Sequence, residues 1–334
     1  MAMSNKKALT LQDIADELGI TKMTVSRYFR EPERVAKATR ERIARIVETQ
    51  GFIQNRAPSL MSKAMSKTLG VIIPSLSNQV FASLVEGIES ITQPAGFDIL
   101  LAHSGYDPKV EERKVAMLLS YRVDGLLLCE TTHTPKTVNM IKQAGIPVVE
   151  AMELPDKPLD MAVGMDHMQA SYHAVTNMIK RGRRHVIYLA ARLDNRTRLR
   201  QKGYEQAMWD AGLTPSSVAT PFHSSFTQGQ ALMRQALNNY NNIDGVFCTN
   251  DDLAIGAMQY CMEKGIRVPS DMAVVGFNAL DIGQAMKPRL TSVVTPREAI
   301  GRKSAQLLID AVCGSRVNQT KFDLGYSLTE GSSW

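Results

Sequence analysis

The sequence predicts an α/β fold class: an N-terminal helix-turn-helix module followed by two doubly wound parallel-sheet lobes. Three observations carry that reading. The excess positive charge is confined to the first fifth of the chain. That part opens with two short amphipathic helical stretches joined by a glycine. From Leu69 onward, short apolar runs alternate with helical ones, in two series that echo each other.

The charge distribution sets the functional class. The chain has 334 residues, enough for two or three domains, and 44% apolar with 22% charged residues predicts a packed soluble core. Of 39 Lys and Arg and 33 Asp and Glu, residues 1–67 hold 13 and 7; the remainder holds 26 of each. The net charge of +6 therefore belongs entirely to the N-terminal part. Such asymmetry points to a polyanion, nucleic acid before membrane, with a basic solvated tail as the plain alternative. Cys129, Cys248, Cys261 and Cys313 form no CxxC pair and read as free thiols, not a metal site. The start MAMSNKKALT has no apolar signal core, and no run approaches a membrane span, so a cytoplasmic protein is expected.

In the N-terminal module, Leu11, Ile14, Ala15 and Leu18 share a helical face. Thr10 and Asp13 form a loose capping box, and Gly19 ends the helix. Thr21 restarts the chain as a second cap, with Val25, Tyr28 and Phe29 inward. A third helix is predicted with Thr39 as cap, Ile43, Ile46 and Val47 inward, and Gly51 as terminator. The outer side of the second helix suits DNA. Lys22 and Arg27 present donors to guanine or phosphate, Met23 can contact a thymine methyl, and the short Thr21, Thr24 and Ser26 allow close approach. The same helix start favours a phosphate, and Thr10 joins this DNA-binding set. Helix pairs of this spacing also occur in ordinary cores. Residues 51–67 contain no acid, and Pro58 can open a short helix over 59–64. So short a helix is marginal alone, and composition by itself favours a disordered linker, unless DNA and a partner subunit stabilise the helix.

The rest alternates strands and helices: LGVIIP, FDILLAH, VDGLLLCE and IPVVEAM in one series, RHVIYLA, SSVATPF, DGVFCTN and MAVVGF in the next. Ligands in such sheets bind beyond the carboxyl ends of strands, which nominates 74–81, 103–106, 129–133, 150–153, 190–200, 248–252 and 277–281. No glycine-rich phosphate loop stands there, so no nucleotide cofactor is expected. A polyhydroxylated ligand needs fixed donors and acceptors, and a carboxylate needs a basic fork. Asn250 and Asp251 offer both, or cap the following helix. Ser75 and Asn78 bind or cap, Phe81 walls a pocket or packs, and His103 is a contact or a loop histidine. Glu150, closing IPVVE, can accept sugar hydroxyls. The histidines lack HExxH spacing, GxSxG is absent, and Asp251 with Asp252 is a weak cation signal, so no enzyme activity is expected.

The stretches TLQDIADELGITKMTVSRYF and GFIQNRAPSLMSKAMSKTLGVIIPSLSNQVF make the chain resemble the lactose-repressor family of transcription regulators over essentially its whole length. GITKMTVSR, NRAP, SLSNQVFA, VFCTNDDLAIGA, IGQAMKPRLTSVVTPRE and DLGY are most similar to its gluconate- and idonate-sensing branch. The resemblance implies a periplasmic-binding-protein-like sensor, with headpiece and hinge at 1–67 and effector and dimerisation domain at 68–334. Its N-subdomain covers about 68–164 and 297–322, its C-subdomain about 165–296 and 323–334. It also implies that Lys22, Met23 and Arg27 read bases in the major groove. Asn55, Arg56 and the next short helix would form the hinge, with Leu60 or Met61 as the minor-groove wedge where leucine is usual. Arg200 falls where the family's ligand arginine stands, with Arg192, Arg196 and Lys202 as competitors or surface charges. Asn278 replaces a usual acid. The expected protein is a homodimeric repressor bound to pseudo-palindromic double-stranded operator DNA and released by gluconate or a related sugar acid between its lobes. A neutral-sugar sensor, a solute receptor or an enzyme on the same fold are the rivals.

Overall fold

The computed structural model describes residues 9–52, 65–315 and 318–334. They form two compact units divided between Met65 and Ser66. The division falls there because the Ser66 and Lys67 amides donate to the Asp124 carboxylate at 3.0 and 2.6 Å, fixing those residues to the second unit.

The first unit is three helices, α1 Leu11–Leu18, α2 Lys22–Arg30 and α3 Lys37–Gln50. Thr10 and Asp13 make the full capping box: the Asp13 amide donates to Thr10 Oγ1, and the Thr10 amide donates to Asp13 Oδ2. Gly19 (φ +66°) and Gly51 (φ +64°) turn the chain out of α1 and α3 in the left-handed conformation that a side chain resists. Ile14, Ala15, Val25, Ile43, Ile46 and Phe52 close the small core. One expectation fails. α3 starts at Lys37 behind Ala36, not at a Thr39 cap, because a turn at Pro32–Arg34 and the burial of Val35 bring the chain into the helix three residues early.

The second unit holds two six-stranded sheets. The first is ordered β2 (Asp98–His103), β1 (Thr68–Ile73), β3 (Gly125–Leu128), β4 (Val148–Glu153), β5 (Met161–Met165) and β11 (Lys321–Asp323), all parallel. The second is ordered β7 (Ser216–Thr220), β6 (Val186–Ala191), β8 (Gly245–Cys248), β9 (Ala273–Phe277), β10 (Thr291–Val294) and β12 (Ser327–Leu328). Only β12 runs antiparallel. The chain crosses between sheets three times, after β5, β10 and β11.

Strand alternation decides which core each residue joins. Leu69, Val71 and Ile73 face one layer, and Ile72 faces the other. Ile187, Leu189 and Ala191 likewise oppose Val186, Tyr188 and Ala190. Helices α4 (Val80–Thr92) and α12 (Arg297–Val312) cover one face of the first sheet, and α5 (Pro108–Ser120) and α6 (Pro135–Ala144) the other. On the second sheet, α7 (His167–Lys180) and α8 (Asn195–Asp210) lie opposite α9 (Phe226–Asn239) and α10 (Asp251–Glu263). The α4–α12 pair meets at backbone distance: a Cβ on Gly87 would stand 2.2 Å from the Glu298 carbonyl oxygen, and one on Gly301 2.2 Å from that of Leu84. Among the described residues, no helix is long and apolar enough to cross a membrane.

Glu150 does not end its strand. It sits in the middle of β4, inside the first lobe, away from the cavities between the lobes. Its Oε2 accepts the Leu159 amide at 2.6 Å, and its Oε1 lies 3.4 Å from His133 Nε2. His133 Nδ1 meets Glu111 Oε1 at 2.5 Å. Glu150 is therefore spent on a buried Glu–His–Glu triad. Burial works against a charged His133, but the two carboxylates outweigh it and raise the imidazole from 6.5 to about 9.

Two predictions follow from this packing. Gly87→Ala should destabilise the second unit by roughly 1–3 kcal/mol, because backbone must shift to admit the methyl; urea unfolding against the parent measures it. A raised histidine contributes stability that is complete below its unfolded value of 6.5 and is lost as pH climbs through about 9. His133→Gln should thus flatten the decline in unfolding free energy between those pH values.

Candidate functional site

The second helix of the first unit separates its two sides cleanly. Val25 is fully buried, while Lys22, Met23 and Arg27 are exposed, Met23 at 63%. Thr21 is the N-cap: its Oγ1 accepts the Thr24 amide at 3.2 Å and lies 2.9 Å from Thr24 Oγ1. Ser26 Oγ accepts from Arg30 at 2.6 Å, so Ser26 anchors a further cation beside Arg27. The helix carries Lys22, Arg27 and Arg30 and no acid. Thr10, exposed, caps α1 and leaves its own helix start facing solvent. Cations and an apolar tip on the exposed side of α2, with its N-terminus, are what phosphate contact and base-edge reading require. Asn55, Arg56, Leu60 and Met61 lie outside the described residues.

The second candidate site lies between the two lobes of the second unit. At its floor stands Arg200 of α8, 4% exposed. One guanidinium nitrogen donates to the Thr249 carbonyl at 2.6 Å and to Asn250 Oδ1 at 3.1 Å. His167 Nδ1 lies 3.3 Å from the other terminal nitrogen, and the Phe277 ring is 3.7 Å from the guanidinium carbon. His167 Nε2 faces the Met152 carbonyl at 2.9 Å and so holds the proton, which frees Nδ1 to accept. Burial and the charge of Arg200 hold His167 well below its ordinary value, so the ring is neutral. Burial pulls Arg200 itself down to about 10, still charged at neutral pH. Among the described residues, no carboxylate stands within ion-pair distance of it.

Asn250 and Asn278 complete the floor. The Asn278 amide donates to Asn250 Oδ1 at 3.1 Å, and Asn278 Oδ1 accepts from Thr295 at 3.2 Å. Asn250 occupies the N-cap of α10 without bonding it, against the capping expectation, because its oxygen is engaged by Arg200. Its Nδ2 is buried with no partner and borders the same cavity. Phe81, 3% exposed, lines that floor while also belonging to the core of the first lobe.

A wider cavity of about 520 Å³ opens above the floor. Ser75, Asn78 and His103 border it from the first lobe. Ser75 also turns the chain by accepting the Ser77 amide, and Asn78 both accepts the Val80 amide and donates to Tyr106 at 3.3 Å. Asp251, by contrast, does not reach the cavity. Its Oδ1 accepts from Ser292 at 2.6 Å and its Oδ2 from the Leu280 amide at 2.6 Å, tying α10 to β10 and to the loop after β9. Burial raises its carboxyl to about 7. It is a structural acid.

The sequence left Arg192, Arg196 and Lys202 open between competitors of Arg200 and surface charges. Arg192 and Arg196 are not surface charges. Arg192 lies over the Tyr106 ring at 4.5 Å and 3.5 Å from Asp194. Arg196 reaches across to the first lobe, donating to the Cys129 carbonyl and to Glu130, each at 2.6 Å. Burial pushes the Asp194 carboxyl up, but Arg196 and Arg192 outweigh it and hold it below its ordinary value. Lys202 is exposed. His223, Ser224 and Asp252 also border the wide cavity. The signal that was available is spacing: Arg192, Arg196 and Arg200 recur every fourth residue from a strand end. Backbone strain marks the same place. Of the non-glycine residues with positive φ, Tyr106, Met152, Arg192 and Asn278 line the cavities and Leu193 and Ala279 adjoin them. No group of three His, Cys, Asp or Glu suited to a metal occurs among the described residues.

The comparisons agree with this division of labour. A family model described as "Bacterial regulatory proteins, lacI family" matches residues 10–55, and one described as "Periplasmic binding proteins and sugar binding domain of LacI family" matches 66–324. The HTH-type transcriptional regulator GntR of Escherichia coli K12 is 51% identical over 328 residues, covering 98% of this chain and 99% of that protein. IdnR of the same organism is 45% identical over 326 residues, covering 97% and 98%. A solved LacI-family regulator from Silicibacter pomeroyi superposes with a TM-score of 0.90 at 28% identity, covering 97% of this chain and 99% of its own. Transcription regulator GntR from Chromobacterium violaceum gives 0.78 at 34% identity, covering 80% and 98%. These relatives are named as regulators, not enzymes. With the two family models spanning both units and half of all residues shared with a full-length relative, the chain belongs to the LacI family of helix-turn-helix, DNA-binding transcription regulators.

Proposed function

We propose that this regulator is a cytoplasmic homodimeric repressor of sugar-acid catabolism genes, released from its operator by gluconate or a close relative. The observation that carries the effector class is Arg200: a buried guanidinium met only by neutral acceptors, beside an unpartnered Asn250 amide. A carboxylate supplies the missing counter-charge and accepts from both. The similarity to GntR and IdnR, named for regulators of one branch, supports the same choice.

The floor is built from elements of both lobes, since Arg200 leads through His167 to the Met152 carbonyl of the first sheet. An anion on Arg200 redistributes those bonds and so biases how the lobes meet. In the proposed mechanism that change passes to Asn55, Arg56 and the wedge at Leu60 or Met61, while Lys22, Met23 and Arg27 read each half of a pseudo-palindrome. Ser75, Asn78, Phe81, His103 and Asn278 would shape and orient the effector.

Arg200→Ala should lower gluconate affinity by about 100-fold or more in calorimetry yet leave operator affinity within about twofold in a gel shift. Loss of both would assign Arg200 to folding. Heat with a neutral sugar and none with any sugar acid would replace the effector class. Arg27→Ala should weaken operator binding about tenfold or more. If Arg27 contacts phosphate, the slope of log affinity against log salt also falls by about one; if it reads a base, specificity relaxes at one position with the slope nearly unchanged. Unchanged affinity would remove Arg27 from the interface.

A further inference from the structure

The wide cavity carries a charge pattern that the floor does not explain. Among the described residues lining it, Asp252 is the one carboxylate. Its Oδ1 is held by Ser224 Oγ at 2.6 Å and by the Leu253 amide at 3.0 Å. Its Oδ2 accepts nothing from the described residues. The other polar groups there are hydroxyls, the imidazoles of His103 and His223, and the carboxamides of Asn78 and Gln79. The one guanidinium, that of Arg192, lies 3.5 Å from Asp194.

Asp252 stands two residues beyond Asn250, whose oxygen holds Arg200. One end of α10 therefore borders the cationic floor and then the outer cavity. The floor and the wide cavity share Asn78, Tyr106 and Arg192, so a six-carbon acid anchored by its carboxylate at Arg200 can extend only outward into the space that Asp252 borders. A terminal hydroxyl can donate to the vacant Oδ2. A terminal phosphate, which carries about −1.5 to −2 charges near neutral pH, or a second carboxylate offers no proton and faces like charge at close range. The N-terminus of α10 does not relieve this repulsion, because Asp251 and Asp252 already occupy its first turn. The N-terminus of α9, capped by Ser225, borders the same cavity but offers only about half a positive charge against a full negative one.

We propose that Asp252 selects against an effector charged at both ends: the site admits a sugar acid ending in a hydroxyl and rejects the same chain ending in phosphate or carboxylate. This rests on the sugar-acid reading of the Arg200 floor and adds to it a discrimination at the opposite end, achieved by a repulsive element more than by an attractive one.

Calorimetry on the full-length protein with D-gluconate, its 6-phosphate and the dicarboxylate glucarate tests it. The parent should bind gluconate at least tenfold more tightly than either of the other two. Asp252→Asn, which keeps shape and removes charge, should narrow that gap about tenfold; Ser224→Ala, which keeps the carboxylate and removes its anchor, should preserve it. Equal binding of all three by the parent, or a gap unchanged in a folded Asp252→Asn variant with parental thermal unfolding, overturns the proposal while leaving the sugar-acid reading intact. Binding of a neutral sugar with no heat from any acid overturns both.

Discussion

A guanidinium taken out of water without a counter-ion is the constraint on which the sensor is arranged. Burying such a charge is expensive unless every donor finds an acceptor. Around Arg200 the acceptors are all neutral: the Thr249 carbonyl at the end of β8, the Asn250 oxygen, the imidazole of His167 and the face of Phe277. Each choice has a consequence. His167 can accept only because the Met152 carbonyl takes its other nitrogen's proton. Asn250 must turn its oxygen toward the arginine, which strands its amide. The charge therefore dictates the conformation of its neighbours.

The fold supplies the place for that charge. Parallel strands end together, so both sheets deliver their carboxyl-terminal loops to the space between the lobes. The helices stay in the layers behind, packed at backbone distance through glycines such as Gly87 and Gly301. Rigid lobes joined by three crossings then meet through polar contacts that can be remade. Arg196 reaches Glu130 across the gap, and Asn195 bonds Glu153. Positive φ values at Met152, Arg192 and Asn278 place backbone strain in this same zone. A device that couples a ligand to DNA must obey reciprocity: whatever the effector does to operator affinity, the operator does to effector affinity.

Much of this was legible in order along the chain because its causes are local. Thr10 with Asp13, Gly19 and Gly51 mark helix ends through hydrogen bonds and φ values that involve only near neighbours. Strand alternation at Leu69–Ile73 reports two faces because the pleat has a period of two. The exposed side of α2 was reached from helical periodicity, and Arg200 from resemblance at a strand end. Thr39 misled because a cap is chosen by where the preceding turn delivers the chain, and Pro32–Arg34 delivered it at Lys37.

By itself, then, the sequence determined the two-part plan, the element boundaries set by caps and glycines, the cationic N-terminal module and the strand ends where a ligand would sit. Tertiary structure alone decided which polar residues at those strand ends are free to act. Glu150 was spent on His133, Asp251 on Ser292 and the Leu280 amide, while Arg192, Arg196 and Asp252 came to border the cleft. The reason is physical: a side chain's partners lie on strands and helices distant in sequence, and whether a carboxylate meets a histidine, an amide or an open cavity depends on how those elements pack, which no local pattern encodes.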